Sequence, residues 1–290
     1  MTQTEDVPPR PRSRALPALA LLLTLAACTP PDPAPAASPR PTASADHDRA
    51  TQAEVTAGGV TLEVSVPGAS PDDPRVHLTT DDRAGTATVT LEPGTAGGAD
   101  GSAGDDDTDD STDDSTGDST GDSTADRVPT IDLASGGAFE PRADGSVAVR
   151  ADGATVGGLS APRGARLVAV GDARLEVLAT SSGTSDGTPG EVTTVLGTSA
   201  VKSADWGDRE GGRSLAVVPT DWAREAGQAG TDLAWAELVA ADPEVDTATM
   251  HDQLECHAIG APDKDSWNLE PWRPDVGLLA TMAARCNPTA

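Results

Sequence analysis

Residues 95–126 decide where this 290-residue chain can and cannot build a fold. They hold 11 Asp and no Glu, Lys, Arg or His, and the rest is Ala, Gly, Ser and Thr with a near-repeat of Asp-Ser-Thr. No side chain there is large and apolar enough to form a core, and the like charges repel, so the run reads as a disordered loop. Structure must therefore be assembled from the segments on either side. An EF-hand needs Gly at the sixth position of its loop and a bidentate Glu at the twelfth. Without a Glu, the run is expected to gather cations only diffusely, and no specific metal site is expected.

The N-terminus carries an address. Arg10, Arg12 and Arg14 precede an apolar run, 15–27, interrupted only by Pro17 and Thr24. That run is shorter than the roughly 20 residues of a membrane-spanning helix, but it suits the apolar region of a secretory signal. It ends in Leu25-Ala26-Ala27-Cys28. This resembles a bacterial lipobox, in which small residues precede a Cys whose thiol takes a diacylglyceryl group and becomes the new N-terminus. Arg10-Pro11-Arg12 is not a twin-arginine signal, so the general secretory route is expected. The expectation is a cleaved signal at 1–27, lipidation at Cys28 and a disordered Pro/Ala/Ser tether at 28–50. The protein would then sit on the outer face of the cell membrane, held there by its lipid.

From Val55 the pattern alternates. Val60, Leu62, Val64 and Val66 recur at every second position, Val76 and Leu78 continue, and Ala87, Val89 and Leu91 alternate with Thr86, Thr88 and Thr90. This period is the mark of a half-buried strand. It resumes beyond the acidic run at 130–133, 146–149, 166–170, 174–178 and 192–196. Short strands at roughly ten-residue spacing predict a β-rich domain over 51–203, sandwich-like or an open barrel, with 95–126 as an inter-strand loop.

After about Ser203 the composition shifts, and all five Trp lie between 206 and 272. Thr220 can cap a short helix carrying Trp222 and ended by Gly227. Thr231 can cap a second, with Trp235, Leu238 and Val239 on one face and Pro243 as its stop. Asp275 can cap a third, with Leu279, Met282, Ala283 and Cys286 in one stripe. Residues 250–259 suit a helix or a strand. The fold class expected is α+β: the β-rich domain followed by a small α-rich, disulfide-closed C-terminal module at 204–290.

Composition removes whole classes of function. Asp and Glu number 47 against 20 Lys and Arg, a formal net charge of −27. Residues 1–27 carry three Arg and two acids, so the mature chain is near −28. Nucleic acid needs clustered Lys and Arg and is excluded as a partner; one Phe and no Tyr leave few stacking platforms for bases. Three catalytic patterns match by letter alone. Residues 117–121 and 183–187 read G-x-S-x-G without the helix that must follow a nucleophile elbow, and Ser199-Ala200-Val201-Lys202 reads S-x-x-K without its companion motifs. No cofactor is expected.

Cys256 and Cys286 remain once Cys28 is lipidated. In an oxidising compartment such an even pair reads as a disulfide; free thiols or a metal site are the alternative. Closing a loop of about 30 residues would contribute roughly 3–4 kcal/mol in the chain-entropy model. A Cys256-His257 nucleophile is disfavoured because adjacent residues on a helix or strand point apart. His251 and His257 lack metal-ligand spacing, which leaves His257 as a structural, hydrogen-bonded histidine. The segment Trp267-Asn268-Leu269-Glu270-Pro271-Trp272-Arg273-Pro274-Asp275 is different. Its Pro residues stiffen it, and Arg273 can pair with Glu270 or Asp275 or stack on Trp272. It is either a packed loop closed by the disulfide, or a rigid binding face made by Trp267, Asn268, Glu270, Trp272, Arg273 and Asp275.

Taken with Cys256-His257, Ala261-Pro262, Lys264, Ser266 and Cys286-Asn287-Pro288, this segment and Val276-Gly277 resemble the C-terminal signature of a family of secreted proteins from high-GC Gram-positive bacteria, a domain of unknown function numbered 2599. The resemblance covers about 205–290 and includes Gly211-Gly212-Arg213, Pro219-Thr220 and Trp222. It implies export and a Cys256–Cys286 pairing. It brings no activity, so no catalytic residue is carried over. The functional expectation is a lipid-anchored, non-catalytic envelope protein that binds another envelope protein or a wall polymer through the Trp/Arg loop. The enzyme alternative is a hydrolase of envelope material, using His257 with Glu270 or Asp275 as acid and base.

Overall fold

The computed structural model describes residues 51–67, 75–92, 128–180 and 190–289. The signal at 1–27, Cys28, the tether, the acidic run at 95–126 and both G-x-S-x-G segments lie outside them. Period-two alternation builds β1 (Thr51–Ala57), β2 (Val60–Val66), β3 (Val76–Asp81), β4 (Thr86–Leu91), β5 (Thr130–Leu133), β6 (Ala138–Pro141), β7 (Val147–Ala151), β8 (Ala154–Leu159), β9 (Ala165–Ala169), β10 (Arg174–Ala179) and β11 (Val192–Gly197). These pair antiparallel into two sheets, in the orders β1-β2-β5-β10-β9 and β3-β4-β11-β8-β7-β6. In β2 the apolar positions Val60, Leu62, Val64 and Val66 are buried and the residues between them half-buried. The register sets Val64 opposite Ile131 and Leu62 opposite Leu133 on β5. Buried residues of both sheets form a single hydrophobic cluster, so the two sheets share one core.

A third sheet follows, ordered β12-β13-β14, from β12 (Val201–Arg209), β13 (Gly212–Pro219) and β14 (Trp267–Leu269). Around it lie α1 (Asp221–Glu225), α2 (Gln228–Ala241), α3 (Ala248–Gly260) and α4 (Leu278–Ala283). Among the described residues no sheet closes on itself, and the class is α+β, mostly sheet with a few small helices near the C-terminus. No described helix is long and apolar enough to cross a membrane. The β12–β13 hairpin escapes the sequence reading because most of β12 is exposed on both faces and shows no alternation. Its signal is the turn: Glu210 and Gly211 have φ of 53° and 86°, the two positive values of a tight hairpin loop.

The helices dock on the outer face of the second sheet. Trp222 of α1 lies against Gly197 of β11 and Gly158 of β8, where any Cβ would overlap the indole or Ala229. Its ring N–H donates to the Val195 carbonyl at 3.1 Å. The sheet is therefore covered on both sides here, and β8 is buried continuously over its last three residues rather than alternately. From α2, Glu237 accepts the backbone N–H groups of Ala200 and Val201 at 2.8–3.2 Å where β11 gives way to β12. Burial raises the Glu237 pKa, and these two bonds oppose the rise.

Helix starts depart from the sequence expectation in instructive ways. Thr220 caps α1 as expected, its hydroxyl accepting the Ala223 N–H, and Thr247 caps α3, which settles 250–259 as helix. Thr231 caps nothing. It is buried inside α2 and donates back to the Gly227 carbonyl. The α2 N-terminus is capped instead from the β6–β7 turn: Asp144 accepts the Gln228 N–H at 2.7 Å and the Ser146 hydroxyl accepts the Ala229 N–H at 3.1 Å. Gly227, at φ 66°, leaves the space that Asp144 fills. Asp275 does not cap α4, whose N-cap is Gly277. The expected apolar stripe is also absent: Leu279 is 83% exposed and the buried α4 residue is Thr281. Arg285 at φ 54°, with bonds from Cys286 N–H to the Thr281 carbonyl and from Arg285 N–H to the Met282 carbonyl, turns the chain out of the helix before Cys286.

Burial pushes the Asp144 pKa up, but bonds from Ser146 and Gln228 outweigh it and hold the carboxyl below its ordinary value. Replacing Asp144 by Ala should cost about 1–2 kcal/mol, measured by urea denaturation at pH 7. Asp144→Asn keeps an acceptor and should recover much of it. Equal stability of Asp144→Ala and wild type would show that this cap contributes nothing.

Candidate functional site

The free edge of β14 is finished by a helix. β13 pairs with one side of β14, with Leu215 opposite Leu269 and Val217 opposite Trp267. On the other side α3 presents Gln253 and His257, one helical turn apart. The Gln253 amide donates to the Glu270 carbonyl and accepts the Glu270 N–H, both at 3.0 Å, as a neighbouring strand would. His257 Nε2 meets the Asn268 carbonyl at 3.2 Å. That bond makes Nε2 the protonated nitrogen; Nδ1 is buried and has no hydrogen-bond partner among the described residues. Burial pushes the His257 pKa down to about 4, with the Asn268 bond acting against it, so the ring is neutral at pH 7.

Beyond β14 the chain turns around Arg273. Arg273 is only 4% exposed, and its guanidinium reaches three partners: the buried Glu270 carboxylate, the Glu210 carboxylate of the β12–β13 turn at 2.7 Å and the Pro288 carbonyl at 3.2 Å. It also lies over the Trp272 ring, 4.6 Å from its centroid. A disulfide joins Cys256 of α3 to Cys286 with a Cα–Cα distance of 5.6 Å. The hairpin turn, β14, α3 and the chain's end are thereby fastened around one buried cation.

The structure splits the six residues of the expected binding face. Trp267 is buried, with its ring N–H on the Ala261 carbonyl and Arg224 stacked 5.5 Å away. Glu270 and Arg273 are buried together, and Asn268 is half-buried in the strand. Trp272 is 45% exposed, its indole laid against Gly212, and Asp275 is exposed with the Gly277 N–H on its carboxylate. The acid–base pair of the hydrolase reading is not assembled by hydrogen bonds among the described residues. His257 goes to Asn268, Glu270 to Arg273, and Asp275 to its own loop. The Ser199/Lys202 pattern comes apart too, since Lys202 binds Asp221 at 2.8 Å.

Two features escape a linear reading. His251, Asp252 and Glu255 on α3 offer ligand atoms within 4.8 Å of one another, all half-buried, without a recognised metal-ligand spacing. A cleft of about 480 Å³ opens between the β6–β7 turn, α1, α2, α3 and α4. Its aliphatic surface includes Ala258, Ile259 and Leu278, and Asp144, Asp232 and Glu255 stand in its walls. Four separate stretches of chain contribute, so no local motif announces it.

Residues 201–289 match the family described as "Protein of unknown function (DUF2599)", the family that the C-terminal signature resembles. An uncharacterized protein of Mycobacterium tuberculosis H37Rv is 46% identical over 93 residues, 29% of this chain and 61% of the relative. An uncharacterized Mycobacterium bovis protein matches to the same extent. One from Mycobacterium leprae is 44% identical over 64 residues, 21% of this chain and 52% of the relative. The chain thus spans about 61% of the length of the first of these relatives. No solved structure matches the chain significantly. The matched segment contains β12 through α4, including Glu210, Glu270, Arg273 and both Cys.

Arg273→Ala leaves Glu270 buried without its cation and should cost about 3–5 kcal/mol in a denaturant titration. Arg273→Lys should rescue little, because an ammonium cannot fork among three acceptors. Near-complete rescue by Lys would mean that charge alone suffices. His257 gives a pH signature. Its folded pKa, about 4, lies below its unfolded value, so its contribution is full above pH 6.5 and is lost as pH falls from there toward 4. The loss should reach roughly 3 kcal/mol. The slope in that window should flatten in His257→Gln; an unchanged slope would assign it to the carboxylates.

Proposed function

We propose that the protein is a lipid-anchored envelope protein that binds a protein partner and carries out no chemistry of its own. Its sandwich-like pair of sheets serves as a platform, and the disulfide-closed module it carries makes the contact. One observation carries the reading. Five large apolar side chains are exposed among the described residues, and four of them, Ile259, Trp272, Val276 and Leu279, fall within 259–279. Glu270 and Arg273 of the same region face inward and hold the backbone. A surface that turns aliphatic and aromatic side chains to water over a braced backbone has the composition of an interaction site.

Anchoring rests on the lipobox-like Leu25-Ala26-Ala27-Cys28, preceded by an apolar run and three Arg. The buried Arg273 supports a contact at Trp272, since it fixes the backbone on which that ring is displayed. A preorganised aromatic loses little freedom on binding.

The test has two arms. An alkyne-tagged fatty acid should label the wild-type chain in cells and fail to label Cys28→Ser, which should move from the membrane fraction to the medium. Envelope extract passed over the immobilised wild-type chain should yield a partner that a folded Trp272→Ala, Val276→Ala double variant does not retain. Labelling that survives Cys28→Ser would overturn the anchor. Equal capture by both baits would overturn the exposed face of the loop as the contact.

A further inference from the structure

The geometry points to a defined occupant for the cleft between the β6–β7 turn and the helices: a cationic amphipathic segment of the partner, with an aliphatic side chain seated in the cleft and Lys or Arg at its rim. This deepens the binding role proposed above and rests on it.

The cavity has the right scale and lining. At about 480 Å³ it falls within the 300–1,000 Å³ typical of ligand sites. Ala258, Ile259 and Leu278 give it an aliphatic wall, and Ile259 leaves 64% of its surface in water. Leu279, 83% exposed, follows Leu278 directly along α4. Covering these side chains removes apolar surface from water, which favours association.

Charge selects the sign of the occupant. Three carboxylates, Asp144, Asp232 and Glu255, stand around the opening, against one cation, Arg224. That cation is engaged elsewhere: its guanidinium donates to the carbonyls of Pro262, Lys264 and Asp265 and lies over Trp267. Asp232 is paired with Arg142, and Asp144 caps α2. Glu255 has only His251 as an ion-pair partner among the described residues, at 4.0 Å, and that pair carries charge only when the histidine is protonated. Glu255, beside Ile259, thus pairs with no Lys or Arg among the described residues. The surrounding module, 201–290, carries 16 Asp and Glu against seven Lys and Arg, a net of −9. A second copy of the chain would be repelled, and an anionic polymer more so. A short amphipathic segment with apolar anchors on one face and cations beside them satisfies both the wall and the rim.

The experiment uses the full chain and three fluorescein-labelled 12-residue peptides read by anisotropy. One is an amphipathic Leu/Lys sequence. The second replaces its Leu with Ser, and the third replaces its Lys with Glu. Only the Leu/Lys peptide should bind, and more weakly as salt rises. Ile259→Asp, at an exposed position, should weaken it at least tenfold. Glu255→Gln should weaken it three- to tenfold and flatten the salt dependence, while Val170→Ala, at an exposed position between β9 and β10, should leave it unchanged. No binding of the Leu/Lys peptide would overturn the proposal. So would binding that survives Ile259→Asp, which would place the peptide on the acidic run by charge alone, or equal binding of the Leu/Glu peptide. An envelope partner that Ile259→Asp still captures, but the Trp272→Ala, Val276→Ala variant loses, would remove the cleft while leaving the binding role standing.

Discussion

A single buried guanidinium holds the C-terminal module in one geometry. Arg273 is the point at which the β12–β13 turn, the loop after β14 and the chain's end are joined, through Glu210, Glu270 and the Pro288 carbonyl. Desolvating an Arg and a Glu together costs several kcal/mol, and a buried ion pair often does no better than an apolar pair of the same shape. Its value here is in direction. Three acceptors from distant parts of the chain can meet one planar fork in few arrangements. The disulfide, worth roughly 3–4 kcal/mol in the chain-entropy account, limits how far the chain's end can wander from α3 without saying how it must lie. The two devices are complementary: one narrows the unfolded ensemble, the other selects among compact states.

The module is also seated on the second sheet rather than strung after it. Trp222 needs two glycines, Gly158 and Gly197, to approach the strands, and α2 borrows its cap from Asp144 and Ser146 on the far side of the boundary. The contact is thus matched on both surfaces: a flat, side-chain-free patch meets an indole, and a turn carboxylate meets the positive end of a helix. A consequence for the cleft follows. One wall comes from the β6–β7 turn and the others from α1 to α4, so its shape depends on that seating.

What could be read from the sequence followed burial. Strands with one buried face, β2, β4, β5 and β10, declare themselves through alternation. β8 does not, because its end is covered on both faces and carries Gly158, on which Ala229 and Trp222 rest. β12 does not, because so little of it is covered. Thr231 looked like a cap because it is a good capping residue, but the true donors of α2 are answered by a carboxylate more than 80 residues earlier, which no local rule can reach. In the Trp/Arg loop the residue types pointed to a pairing of Arg273 with either Glu270 or Asp275, and the structure chooses Glu270. Which tryptophan would be buried was not readable: Trp267 and Trp272 have similar neighbours, and only the pairing of β14 with β13 puts the first inside.

The order of the strands has a kinetic meaning. β4 and β5 flank the acidic run but belong to different sheets, and the partners that complete β2 and β4 are β5 and β11. A chain emerging from its N-terminus therefore makes β1–β2 and β3–β4 as two hairpins that cannot yet close a core. They must wait for segments synthesised some 40 to 100 residues later. Such distant pairings slow folding, because chain entropy must be lost before the contacts form. Strands β1 to β4 are thus committed to a partnership whose other members lie beyond the acidic run, and the core they share can close only once β11 has been made.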